Sequence, residues 1–416
     1  MEKQVKDLSI YKKKFEEDIM SFREFESMDY IRELKNQNQL DEAIEVGRTF
    51  LSSRPELKTY INHYAYALYN KYISQDASTI SKNEKLYYGI VEDILAVTKQ
   101  EKYSPYEPTI NHVIKYVSSK EVVDYEIINQ YLEKVDPLLL SKEPYLTNNK
   151  KEGESRFERW YRLKVRALFE LERYKECITF ANQAFAQTIK WHYRNLQWIQ
   201  YYRAMSNLKL KNYGECERDF LALQGQIQNI NFYRALYDLY ISLERYQEAN
   251  VYLIYDIYIT GYNLSELPLY ESLLSATKVA KDKQLEEVVS AFIYKIKEET
   301  TSLNEQDTII DKFKEINSSD LYDRMIDELT NSLENYVERK TGKIVYYNNQ
   351  KSFGSIASED PLFFRQSDFI YDEEIKRFDL VEYTVMKTFD FKKNTDTTKA
   401  VLILLNDDFD GYVDFD

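Results

Sequence analysis

Few residues of this chain have the type and spacing needed to make or break a covalent bond. Its three histidines, His63, His112 and His192, stand far apart, and none opens a metal-ligand spacing. There is no glycine-rich phosphate loop and no GxSxG elbow. Asp407 and Asp408 are adjacent acids, but they lie in a C-terminal tail that cannot hold a geometry; acid pairs elsewhere read as solvated helix faces. Cys177 and Cys216 are the one pair a metal would want. Each occupies a place where a small residue lets two helices approach, so packing accounts for both. The expectation is a non-enzymatic protein with no catalytic residue, metal, cofactor or small-molecule substrate. A nuclease assembled from scattered acids has no sequence signal behind it.

The elements around these residues are mostly helical. The 416 residues are 44% apolar, enough to bury a large core, which excludes general disorder. Lys and Arg number 56 against 70 Asp and Glu, a net charge of −14. Such a chain repels phosphates on average, so it is no generic coat for DNA or membranes, and any nucleic-acid contact must be local. Nine glycines and seven prolines favour long helices with short joints over turn-rich sheets. Two cysteines make no disulfide framework. Met1 to Phe22 is charged throughout, without an apolar signal core, and no run of about 18 apolar residues could span a bilayer. A soluble, cytoplasmic protein with no membrane partner is expected.

Apolar residues recur at helical spacing as far as about residue 338. Leu8, Tyr11, Phe15, Ile19 and Phe22 form one stripe, Ile110, Val113, Ile114 and Val117 another, and Leu321, Met325, Leu329, Leu333 and Tyr336 a third. Pro55, Pro105, Pro108 and Pro137 punctuate joints. The polar gap from Thr147 to Glu154 reads as an exposed loop between two helical blocks, residues 1–146 and 155–338. Three stretches repeat: Leu171 to Cys177, Leu210 to Cys216 and Leu243 to Ala249. Their tyrosines, Tyr174, Tyr213 and Tyr246, are 39 and 33 residues apart. Asn38 to Ala43 is a fainter copy. Each reads as a helix, a tight turn with Tyr, and a second helix opening on acids and a small residue, the acids suiting the helix dipole. Such pairs bury their apolar faces only by stacking on neighbours.

These stretches resemble the tetratricopeptide repeat, which has an aromatic at the turn and Ala three positions on, at a period of about 34 residues. Val165, Ala204 and Tyr237 stand where that family prefers Gly or Ala, so the copies are degenerate and irregular. The resemblance implies an α-solenoid whose first helices line a concave, peptide-holding face. Counting back from each small residue places Arg162, Arg166, Tyr201, Met205, Arg234 and Asp238 on that face. Two readings stand: a grip on an acidic peptide or phosphate, or ordinary solvated charge.

After about residue 338 the period changes from 3.6 to 2. Lys343–Tyr347, Lys351–Ile356, Leu362–Arg365, Leu380–Val385 and Ala400–Leu404 read as five short strands, with Asn348-Asn349 turning between the first two. Five strands without a helix suit a small OB-type barrel. The run Gly342 to Ile356 resembles the opening of a cold-shock domain, and Leu362 to Phe369 resembles its second nucleic-acid motif. Val381 to Val385, a long loop, and Lys399 to Val401 fit its tail. The resemblance covers residues 339–405. It implies single-stranded RNA or DNA stacked on Tyr346, Phe353 and Phe363, with Lys343 and Lys351 near phosphates. Ser355, Arg365 and Gln366 depart from the family; Arg365 still suits a base or a phosphate.

From Lys340 to Leu404 there are 10 cations and 10 acids, so the barrel is neutral and weak binding with a shallow salt dependence is expected. Residues 406–416 carry five Asp and no cation. That tail could aid solubility, compete with phosphates, or offer Phe409, Tyr412 and Phe415 to a partner. The expected architecture is mainly α, a solenoid followed by a small barrel. The expected role is a scaffold that holds a single strand on the barrel and a protein partner on the solenoid. The alternatives are a purely protein-binding module with a degenerate site, or a regulatory subunit of a nucleic-acid enzyme in a bacterial regulatory or defence system.

Overall fold

The computed structural model describes residues 6–146, 149–227, 230–304 and 307–406. The acidic tail beyond Asn406 thus lies outside the described residues. The chain divides into two compact units, Met1–Ile199 and Gln200–Asp416. The first holds α1 (Ser9–Glu17), α2 (Glu24–Asn36), α3 (Leu40–Ser53), α4 (Ile61–Leu68), α5 (Ala77–Ser81), α6 (Glu84–Val97), α7 (Tyr106–Ser118) and α8 (Tyr125–Glu133). The short strands β1 (Tyr145–Leu146) and β2 (Glu152–Gly153) follow, then α9 (Arg156–Glu170) and α10 (Tyr174–Phe185). The division falls inside α11 (Asn195–Lys209). The second unit continues with α12 (Tyr213–Leu223), α13 (Phe232–Ser242), α14 (Tyr246–Thr260), α15 (Leu267–Ala280), α16 (Lys283–Glu299) and α17 (Ser318–Asn331). It ends in β3 (Lys340–Asn348), β4 (Phe353–Ile356), β5 (Leu362–Arg365), β6 (Leu380–Asp390) and β7 (Thr395–Leu405).

The chain is mainly α, a solenoid-like series of helical hairpins ending in one closed barrel. From α12 to α17 each helix packs on the next in the chain, as α7 to α10 do in the first unit. One turn recurs. Asn38, Glu172, Lys211, Glu244 and Lys281 have φ between 57° and 62°. Just after each, an N–H donates to a carbonyl five residues back: Gln39 to Leu34, Arg173 to Leu168, Asn212 to Asn207, Arg245 to Tyr240 and Asp282 to Thr277. This is the Schellman closure of a helix end. It includes the faint copy near Asn38 and a hairpin near Lys281 that the tyrosine pattern does not reveal. The small residues Ala43, Cys177, Cys216 and Ala249 are fully buried, and the Cys177 thiol lies 3.5 Å from the Val165 carbonyl oxygen. Burial pushes the Cys216 thiol up to about 12.

Two apolar stripes are not single helices. α1 stops at Glu17, and Phe22 reaches the core after a bend at Asp18 and a 3-10 turn, Ile19–Ser21. Likewise α17 ends at Asn331, and Leu333 opens a separate 3-10 turn. In both places a break in the backbone re-aims the stripe, and Phe22 and Leu333 are buried beyond it.

The barrel strands close in the order β3-β4-β5-β7-β6, with β5 and β7 parallel. Its core is Ile344, Ile356, Leu362, Phe364, Phe369, Ile375, Val381, Tyr383, Ala400 and Ile403. The expected long loop before Lys399 is instead a continuation of both strands. Met386–Asp390 pairs with Thr395–Lys399, turning at Phe391–Asn394. Helix α12 supports this polar, threonine-rich extension: Lys387 Nζ lies 2.8 Å from Glu217, and Thr388 Oγ1 donates to Gln224 Oε1 at 3.2 Å. The Tyr252 hydroxyl of α14 donates to the Lys387 carbonyl at 3.0 Å. Among the described residues no helix is long and apolar enough to cross a membrane.

Candidate nucleic-acid interface

The outer face of β3, β4 and β5 is set by one extra residue. Ile344 pairs with Ile356, but Tyr346 pairs with Ser355, so Val345 is a bulge. Strict alternation would put Ile344 and Tyr346 on the same face. The bulge instead leaves Ile344 fully buried and turns Tyr346 outward, 47% exposed. Tyr347 takes the inner side, its ring 10° from the plane of Phe364 at 6.1 Å, its hydroxyl donating to Gln366 Oε1 at 3.1 Å.

Gly354 makes this closeness possible: a Cβ there would strike the Tyr346 carbonyl oxygen and the Phe364 ring. Its neighbours Phe353 and Ser355 share the outer face, and Ser355 pairs with Phe363 on β5. The three rings form a row. Tyr346 and Phe353 have centroids 6.0 Å apart, and Phe353 and Phe363 5.7 Å apart with planes 33° from parallel. Phe363 is 41% exposed and Phe353, between the other two, is half-buried.

Three exposed cations stand on the strands and the turn that carry the row. Arg365 pairs with Phe353 across β4 and β5 and is exposed. Lys351 is exposed in the turn that joins β3 to β4, where its N–H donates to Asn348 Oδ1 at 3.1 Å. Lys343, exposed on β3, places its ammonium 5.2 Å from the centroid of Phe378.

No known family profile and no curated protein matches the chain. Among solved structures, a monomeric mutant of IFIT1 with Gppp-AAAA is similar over 77% of this chain and 74% of that one, at 11% identity and a TM-score of 0.28. The site is therefore read from its own residues.

Arg365 is held by a buried polar group that sequence reasoning missed. Its backbone N–H donates to Asp368 Oδ2 at 2.7 Å. Asp368 Oδ1 accepts from the Tyr255 hydroxyl of α14 at 2.6 Å and from Lys399 Nζ at 2.8 Å. Burial lowers the Lys399 ammonium from its usual range, against the pull of Asp368. Burial, with Asp368 beside it, raises the Tyr255 phenol strongly. No local signal links Tyr255 to residues more than a hundred positions away.

Of the residues expected on the solenoid's inner face, Arg162, Arg166, Tyr201, Arg234 and Asp238 have partners within the chain. Arg162 pairs with Glu154 at 3.1 Å. Arg166 pairs with Glu170 at 3.7 Å and lies over the Tyr125 ring. Tyr201 packs edge-on against Phe232 at 6.4 Å. Arg234 pairs with Asp238 at 3.4 Å and donates to the Pro268 carbonyl at 2.9 Å and to the Ser272 hydroxyl. Met205 is half-buried.

Proposed function

We propose that the barrel is a cold-shock-type module that binds single-stranded RNA or DNA, carried by a non-enzymatic scaffold whose helical hairpins hold a protein partner. The observation that carries this reading is the row Tyr346, Phe353 and Phe363 on the outer face. Three rings in mutual contact and open to solvent offer unpaired bases a surface that a packed core would not leave bare. Arg365, Lys351 and Lys343 supply cations around it. Each stacked base contributes about 1–3 kcal/mol, so the row suffices for weak binding, which a second contact would reinforce through effective concentration.

Fluorescence anisotropy with a short labelled oligonucleotide tests it, comparing the full chain with Tyr346→Ala/Phe353→Ala/Phe363→Ala. Loss of binding in a variant that keeps its circular dichroism supports the reading. Equal binding by both proteins removes the platform. The barrel's formal neutrality favours a second reading, a protein-binding surface descended from a nucleic-acid site. Under that reading neither protein binds the oligonucleotide, and a pull-down is unchanged by nuclease.

A further inference from the structure

The turn leading into β6 holds an aromatic residue where glycine is usual. The Asp379 N–H donates to the Lys376 carbonyl at 3.4 Å, closing a four-residue turn, and Phe378 in its third place has φ +81°. Glycine or asparagine ordinarily fills that place, because a Cβ is crowded at positive φ. A bulky residue held there is a marked outlier and asks for a reason. Core packing is not the reason, since Phe378 is 55% exposed. Its ring meets cations instead: Lys343 Nζ at 5.2 Å from the centroid and the Arg377 guanidinium carbon at 4.6 Å.

The ring is also tied to the edge of the platform. The Phe378 N–H donates to the Ile344 carbonyl at 2.8 Å, and the Ile344 N–H donates to the Asp379 carbonyl at 3.0 Å. Ile344 points into the core, so Lys343 points out, on the face that Tyr346 shares after the bulge. The two are about 10 Å apart along the strand. On β5, Arg365 stands opposite Phe353, and Asp368, which accepts its backbone N–H, also accepts from the Tyr255 hydroxyl of α14. The helices thus meet the barrel on the β5 side, and Phe378 is exposed on the β3 side.

We propose that Phe378, with Lys343 and Arg377, is a further nucleotide subsite that extends the three-ring platform on the β3 side. A base packs on the ring once Lys343, an exposed and flexible side chain, moves onto the neighbouring phosphate. This rests on the reading of the barrel as a single-strand binder.

The test uses the full chain, Phe378→Gly, and labelled oligothymidylate and oligouridylate, each as a tetranucleotide and a heptanucleotide. The tetranucleotide measures the three-ring platform; the ratio of heptanucleotide to tetranucleotide affinity measures the added subsite. Wild type should gain about fivefold or more from the longer strand beyond the statistical factor, and Phe378→Gly should lose that gain. Its thermal midpoint should rise, because glycine relieves the positive φ, so lost binding is not lost folding. A ratio unchanged in Phe378→Gly overturns the subsite while leaving the platform intact. Absence of tetranucleotide binding by wild type overturns the platform reading and this one together. The thymidylate and uridylate arms say whether the subsite takes DNA, RNA or both.

Discussion

Lys399 reaches across the barrel to place its ammonium 2.8 Å from the carboxylate of Asp368, whose side chain is wholly buried. The same carboxylate accepts from Tyr255 on α14 and from the backbone of Arg365. Removing one partner of a buried pair leaves the other charge uncompensated, at a cost of about 3–5 kcal/mol. Lys399→Met should therefore destabilise the second unit by about that much in urea unfolding. Asp368→Asn/Lys399→Met should recover most of the loss. A single substitution costing under about 1 kcal/mol would show that the pair carries no such weight.

The three rings should contribute unequally to strand binding. Phe353 touches both neighbours, so Phe353→Ala interrupts the row, whereas Tyr346→Ala and Phe363→Ala shorten it. Each should cost about 1–3 kcal/mol of binding, with Phe353→Ala the largest. Tyr346→Ala and Phe363→Ala, at exposed positions, should leave the thermal midpoint within a few degrees of wild type. Anisotropy titrations at several salt concentrations check this, and the slope with salt should be shallow.

Gly354→Ala should do what no ring deletion does. Its methyl group meets the Tyr346 carbonyl and the Phe364 ring, so β3 must move away from β4. Overpacking of this kind costs about 1–3 kcal/mol. Both the unfolding midpoint and strand affinity should fall together, and unchanged values for both would contradict the packing.

The recurring helix ends predict stabilising changes. Lys211 and Glu244 are exposed and have φ of 62° and 57°. Glycine adopts this conformation without the Cβ crowding that costs an L residue about 1–2 kcal/mol. Lys211→Gly and Glu244→Gly should each stabilise by about 0.5–1 kcal/mol after the entropy of the unfolded chain is counted. Thermal unfolding checks it, and destabilisation by either would refute the reading of the turn.

Asp256 gives stability a pH dependence. Burial on α14 pushes its carboxyl up to about 6, opposed by hydrogen bonds from Asn231 and Thr260; Glu266 adds to the rise and Arg234 opposes it. The folded state then holds its proton more tightly than the unfolded chain, whose value is the ordinary 3.8. The stabilisation is complete below that value and is lost as pH rises through about 6. Measured against Asp256→Asn, wild type should lose on the order of 2 kcal/mol between about pH 4 and pH 6, the loss levelling off above about pH 7. A flat difference across that range would rule the effect out.

Much of the architecture was legible in the residues. The repeated Leu-x-x-Tyr-x-Glu stretches mark three helical hairpins, because acids and a small residue at fixed offsets start a second helix and let it pack. The change to period 2 after residue 338 marks the barrel. The hairpin near Lys281 escaped notice, since its turn has no tyrosine and the backbone conformation is what it shares with the others. The β6–β7 extension escaped because polar, threonine-rich strands look like a loop until α12 is seen to support them. The expected inner-face arginines were placed by counting, and counting says nothing about Glu154 or Glu170 standing beside Arg162 and Arg166.

By itself the sequence determined the mainly helical composition, the hairpin repeats and the five-stranded ending. Those follow from periodicity and residue type, which are local, whereas the choice of the three rings is what the resemblance of residues 339–405 to a cold-shock domain implies. The tertiary structure decided which way the rings face. One bulged residue, Val345, turns Tyr346 out instead of in, and period alone points it to the core. Only the folded barrel brings Phe378 against Lys343, and only docking on α14 brings Tyr255 to Asp368. Such contacts join residues far apart in the chain, and their free energy comes from burial and pairing that no short stretch of sequence contains.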